Sequence, residues 1–148
     1  VTTSPPKPRV FVDADVLFAG SASPSEHGAG LTVLRMAEIT LIKAIASQQV
    51  IVEVERNLIR KLPSALPNFR FLVERCLTIV PDPRPEELAD YRALADPGDL
   101  PLLVAAVREQ CPWLTTFNGR HYQPGHPAAV ALPPGELIQR VRYLLARM

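Results

Sequence analysis

Apolar and polar positions alternate between two periods along the chain, and the switches between them mark the elements. Arg9-Val-Phe-Val-Asp-Ala-Asp15 is a short apolar run closed by carboxylates, the pattern of a strand buried on both faces whose carboxyl end reaches solvent. Residues 20–30, rich in Gly, Ser and Pro, read as a loop, after which Leu31, Leu34, Ala37 and Glu38 fall at helical spacing. The β-branched run Ile39 to Ile45 predicts a second strand, with a continuous helix over 31–46 as the competing reading. Ser47 is placed to cap a helix through Val50, Val54, Leu58 and Leu62 that stops before Pro63.

Asn68 to Arg75 fits a short helix and Leu77-Thr-Ile-Val80 a strand, ended by Pro81-Asp-Pro83. Pro85-Glu-Glu opens a predicted helix to Ala95, with acids at the positive end of its dipole. Asp96-Pro-Gly-Asp99 is a turn whose last residue can cap the apolar helix Leu100 to Glu109. Trp113 to Phe117 is the next strand, closed by Asn118-Gly119, and Val130-Ala-Leu132 is a fifth. Pro134 opens a final amphipathic helix through Leu137, Val141, Leu144 and Leu145. Alternation of strand and helix predicts an α/β fold, a three-layer sandwich with a mainly parallel, five-stranded sheet flanked by helices. Residues 1–8 are read as a disordered lead-in and 9–148 as one domain.

Composition narrows the partners. The 148 residues carry 16 basic and 15 acidic side chains, so no global field draws the protein to nucleic acid or to an anionic membrane, and any such contact must be a local patch. Hydrophobic residues make up 47%, enough to fill a core and to exclude a wholly disordered chain. Cys76 and Cys111 stand far apart, with no Cys-x-x-Cys pair and no closely flanking His, so zinc and redox motifs are unsupported. Two buried thiols, no apolar leader and no long apolar run together predict a cytoplasmic protein without a membrane segment.

In an open parallel sheet the working site lies outside the carboxyl ends of the strands, and that rule gathers scattered acids. Asp13 and Asp15 end the first strand, Asp96 and Asp99 precede the helix that leads to the fourth, and Asn118 and His121 follow that strand. Glu53 faces the same way if its helix packs beside the first strand. Converging carboxylates repel one another, and a hard divalent cation, magnesium or manganese, is the usual reason to tolerate them. Each residue also has a plainer reading. Asp15 is as well suited to capping a helix, Asp96 to initiating a turn, Asp99 to capping, Asn118-Gly119 to turning the chain, and His121 to a solvated loop. Glu53 and Asn57, one helical turn apart, resemble pairs common on surface helices.

The order of these pieces is specific. Val10-Phe-Val-Asp13-Ala-Asp15-Val-Leu17, Glu53-Val-Glu-Arg-Asn57-Leu58, Asp99-Leu-Pro-Leu-Leu-Val-Ala-Ala106 and Leu114-Thr-Thr116-Phe-Asn118, spread over residues 9–124, resemble the PIN-domain family of metal-dependent ribonucleases. The resemblance implies three or four acids binding magnesium or manganese and cleaving single-stranded RNA, and many family members are toxins of toxin-antitoxin pairs. Asp13, Glu53 and Asp99 match the family's first three acids, and Thr116 its strand-end hydroxyl. The fourth acid is missing from both places the family uses, which are occupied here by Asn118 and His121. Neither supplies charge, so divalent affinity should fall.

The resemblance therefore implies an endoribonuclease in which Asp13, Glu53 and Asp99 hold the metal, with Asp15, Asn57, Asp96, Thr116, Asn118, Arg120 and His121 around it or near the substrate. Arg120 is the candidate for substrate phosphate, and an antitoxin protein or a second copy of the chain is the candidate protein partner. A metal-weakened domain that binds RNA or protein is the alternative. An aspartyl-phosphate phosphatase, suggested by Asp13-Ala-Asp15, lacks a well-placed Lys and the length for a cap domain.

Overall fold

The computed structural model describes residues 7–22 and 28–147. Most of the lead-in therefore lies outside the described residues, as does part of the loop expected over 20–30. Five strands form one wholly parallel sheet in the order β3-β2-β1-β4-β5. They are β1 (Arg9–Val12), β2 (Lys43–Ser47), β3 (Leu77–Val80), β4 (Trp113–Thr115) and β5 (Val130–Leu132). The helices are α1 (Ala14–Ala22), α2 (Ala29–Glu38), α3 (Gln48–Lys61), α4 (Leu66–Cys76), α5 (Leu100–Arg108) and α6 (Pro134–Ala146).

The all-apolar stretch Val10-Phe11-Val12 suits the central strand of the sheet, paired on both edges, and all three side chains are fully buried. Val10 pairs with Ala44 on one side and Trp113 on the other, and Phe11 with Ile45 and Leu114. The chain first builds outward through β2 and β3, then returns to the opposite side of β1 for β4 and β5. Strand order thus reverses between β1 and β4, and the crevice outside their carboxyl ends is where an open α/β sheet binds ligands. Among the described residues, no helix is long and apolar enough to cross a membrane.

Four expectations change. Helix α1 begins one residue after β1, and Gly20 to Ala22, expected in a loop, close it, while Ala29 and Gly30 open α2. The two glycines are there for contact: a Cβ on Gly30 would stand 2.9 Å from the Val16 carbonyl oxygen, and one on Gly20 2.8 Å from Leu34. Residues 39–42 are a turn, with Thr40 at φ 65°, and β2 starts only at Lys43. Ile39, whose β-branched side chain argued for a strand there, is 63% exposed. The predicted helix from Pro85 is a 3-10 segment over Pro85–Tyr91, with no fully buried residue to anchor a longer one. Ser47 lies at the N-cap position of α3 without a capping hydrogen bond, and its hydroxyl is buried without a partner.

Candidate metal and catalytic site

The site is built around Asp13, the residue joining β1 to α1. Its backbone N–H continues the ladder to the Thr115 carbonyl at 3.0 Å, and its carbonyl accepts from Leu17 N–H in the first turn of α1. Strand and helix together therefore fix its Cα. The side chain, only 7% exposed, is fixed in turn: Oδ1 accepts from Ala14 N–H at 2.7 Å, and Oδ2 accepts from the Thr116 hydroxyl at 2.8 Å and the Tyr122 hydroxyl at 2.9 Å. A buried carboxylate held by three donors keeps one orientation.

Asp15, in the first turn of α1, clasps the loop after β4. Its Oδ2 accepts from Phe117 N–H at 3.0 Å and from the Asn118 side-chain amide at 2.9 Å, and lies 3.3 Å from the Thr116 hydroxyl. That hydroxyl has one proton, and the shorter contact assigns it to Asp13. Asp15 Oδ1 is buried with no partner at all. Burial foremost, and then the charge of Asp13, push the Asp15 carboxyl up to about 6 against the pull of its backbone and Thr116 hydrogen bonds.

Two more acids share this field from other elements. Glu53 stands on α3, and its pKa is raised by desolvation and then by Asp13, Asp99 and Asp15, with Arg56 opposing. Asp99 precedes α5 and is raised by desolvation and then by Asp13, against the favourable influence of His121. No capping bond occupies the Asp99 side chain, which instead meets His121 Nδ1 at 3.1 Å. Donor atoms of Asp96, Asp99 and His121 lie within 4.8 Å of one another, the one trio among the described residues drawn that close. Glu53 feels the charge of Asp13 and Asp99, and Asp99 that of Asp13, although these three do not form so tight a group. A 2.7 Å hydrogen bond from Asp96 N–H to the His121 carbonyl ties the 3-10 turn Gly119–Tyr122 to the entry of α5.

The remaining candidates scatter. Asn57 Oδ1 accepts from Arg60 at 3.2 Å on the exposed side of α3, and Arg120 is exposed on the 3-10 turn. Tyr122, to which the sequence pattern assigns no role, is 3% exposed and closes the cage around Asp13. Its signal in the sequence was an aromatic residue directly after His121, in a stretch otherwise polar. Burial and the surrounding carboxylates raise its phenol far above the ordinary range, so it remains a neutral donor.

Oxygen donors that repel one another, a buried carboxylate oxygen without a partner and one imidazole make a donor set that fits a divalent cation. The family model for the PIN domain matches residues 9–120. The chain belongs to the PIN-domain family. Its fold is shared with the crystal structure of VapBC2 from Rickettsia felis bound to a DNA fragment from their promoter, at a TM-score of 0.62 and 14% identity over 84% of this chain and 98% of that one. No curated protein matches. Asp13, Glu53 and Asp99, expected from the resemblance to be the metal-binding acids, stand on three separate parts of the chain, directly after β1, within α3 and directly before α5. Of the two residues expected in place of a fourth acid, Asn118 turns its amide to Asp15, whereas His121 turns to Asp99.

Proposed function

We propose that this PIN domain is a magnesium- or manganese-dependent endoribonuclease acting on single-stranded RNA, in the manner of a toxin held by an antitoxin. The observation that carries the reading is the buried Asp13 at the end of the central strand, where strand order reverses, with Asp15, Glu53 and Asp99 close enough that its charge raises the pKa of each. Asp13, Glu53 and Asp99 would hold the ion, which when bound activates water for in-line attack on a phosphodiester and offsets charge on the phosphorus. Asp13 is kept aimed by Thr116 and Tyr122, and Asp15 holds Phe117 and Asn118 in place beneath the substrate. Arg120, which is exposed, would pair with an RNA phosphate. The promoter-bound complex of VapBC2 supports an antitoxin partner for this chain, or a second copy of it, and the two buried free cysteines support a place in the cytoplasm.

Cleavage of pooled single-stranded RNA in manganese, magnesium or chelator tests this reading, with Asp13→Asn and Asp99→Asn as controls. We expect metal-dependent cuts that both variants abolish, with bound metal lost and the fold retained. Equal cleavage by both variants overturns the assignment. The absence of an acid at 118 and 121 favours a second reading, a PIN domain that binds RNA or protein with a weakened metal centre. Retained RNA binding without cleavage in any divalent ion selects it.

A further inference from the structure

Among the described residues, His121 is the one imidazole grouped with the crevice acids, and it is paired with Asp99 rather than left free in solvent. Its ring nitrogen Nδ1 lies 3.1 Å from Asp99 Oδ2, and both share with Asp96 the tightest grouping of potential ligand atoms among the described residues. Two donors that each bind one ion at about 2.1 Å and at right angles stand about 3 Å apart, which is the spacing found here. The turn presenting His121 is fixed from both sides: its N–H bonds the Asn118 carbonyl at 2.9 Å, its own carbonyl accepts from Asp96 N–H, and the next residue, Tyr122, is anchored on Asp13. The ring is therefore delivered to Asp99 by backbone geometry. Asn118, the other residue at a fourth-acid place, is engaged with Asp15.

Resting on the metal-centre reading above, we propose that His121 supplies a nitrogen ligand where a fourth carboxylate is absent, and that this centre selects a first-row transition ion over magnesium. The chemistry follows from ligand type. Magnesium demands an octahedron of oxygens and keeps its waters, whereas manganese and the later divalent ions of the first row accept imidazole beside carboxylate. Exchanging a carboxylate for a neutral ring removes one negative charge, which lowers affinity for every divalent ion, and adds a nitrogen bond that only the transition ions recover.

The test uses the full chain with Mn2+ and Mg2+ as probes. Calorimetric titration of the wild type should give tighter binding of Mn2+ than of Mg2+, by about tenfold or more. Electron spin-echo modulation of bound Mn2+ should show coupling to a directly ligated 14N. In His121→Gln the nitrogen coupling should vanish and Mn2+ affinity fall about tenfold or more, since even indirect support of a ligand is worth that much. In His121→Asp the coupling should vanish while Mg2+ binding tightens, so that the preference collapses. His121 is exposed, and thermal melts of both variants verify that the fold survives. Bound Mn2+ without nitrogen coupling in the wild type overturns this assignment and leaves the metal centre standing. Absence of any Mn2+ binding by the wild type overturns both.

Discussion

The Tyr122 hydroxyl donates to Asp13 Oδ2 at 2.9 Å across 109 residues of sequence, and it does so on the same oxygen that accepts from Thr116. One acid at the end of the central strand is thus gripped by the strand beside it and by the turn that follows. The turn carrying Tyr122 also carries His121, so the orientation of Asp13 and the approach of His121 to Asp99 are set by one short segment. Rigidity at the buried acid and adjustability at the exposed ones are what a metal centre on an α/β scaffold requires.

Tyr122→Phe removes one donor and leaves the ring in place. A hydrogen bond to a charged group is worth about 1.5 to 3 kcal/mol, and Thr116 continues to serve the same oxygen, so the loss of stability should lie at the lower end of that range. Manganese affinity should fall about tenfold, as for other residues that orient a ligand. Thermal melts and a manganese titration measure the two effects. If neither moves, Thr116 and the Ala14 N–H suffice to hold Asp13.

Gly30→Ala probes the contact that makes α1 a helix in a stretch expected to be a loop. In an open helix Ala gains up to about 1 kcal/mol over Gly. Here the new Cβ would stand 2.9 Å from the Val16 carbonyl and 3.3 Å from Gly20 N, so the substitution should cost about 1 to 3 kcal/mol. Gly135→Ala in α6 meets nothing within 4 Å and should be neutral or stabilising. Denaturant melts that rank the two variants in the opposite order would show that the helices have room to part.

These cases also show where the chain is readable. The central strand, β3, α5 and the order of the acids along the chain could be read because hydrophobic period and Pro or Asp punctuation coincide there. Helix α1 was obscured because its last turn carries Gly20 and Ser21, residues that signal a turn locally, and Gly20 here allows close approach to α2. Ile39 argued for a strand by its β-branched chain alone, while the break at Thr40 depends on a positive φ that sequence does not announce. At the site, position at the strand ends and in α3 makes Asp13, Glu53 and Asp99 candidates. The roles of Tyr122, His121 and Asn118 depend on how a four-residue turn folds back over β1, which no periodicity encodes.

Metal-free protein should lose stability as pH rises from about 4 to about 6. Asp15 titrates at about 6 in the fold against 3.8 in a free side chain, so between those values the folded state binds more protons than the unfolded one. The contribution is full below 3.8 and is lost as pH passes 6; Glu53 and Asp99, also raised, act in the same direction. Other carboxylates overlay this trend, so the diagnostic is a comparison. Asp15→Asn keeps an oxygen for Phe117 and Asn118 and cannot ionise, and its melting temperature in chelator should fall less between pH 4.5 and pH 7 than that of the wild type. Parallel profiles for the two proteins would rule out Asp15 as the source. Manganese at a hundredfold excess over its dissociation constant should restore about 2.7 kcal/mol at pH 7.

Asn118→Asp turns the 2.9 Å hydrogen bond between Asn118 Nδ2 and Asp15 Oδ2 into an encounter of two carboxylates. Like charges about 4 Å apart repel by about 1 kcal/mol in water and about 4 kcal/mol near a protein surface. Asn118 is exposed and its replacement can turn outward, so in chelator at pH 7 the loss should lie near the lower figure. At pH 4.5 most Asp15 carboxyls are protonated and can donate to the new carboxylate, so the penalty should shrink. The same repulsion should lift the Asp15 titration above its present value of about 6, which carboxyl chemical shifts followed by NMR would register. An unchanged titration of Asp15 in the variant, together with equal melting at both pH values, would mean that the Asn118 side chain does not face Asp15 in solution.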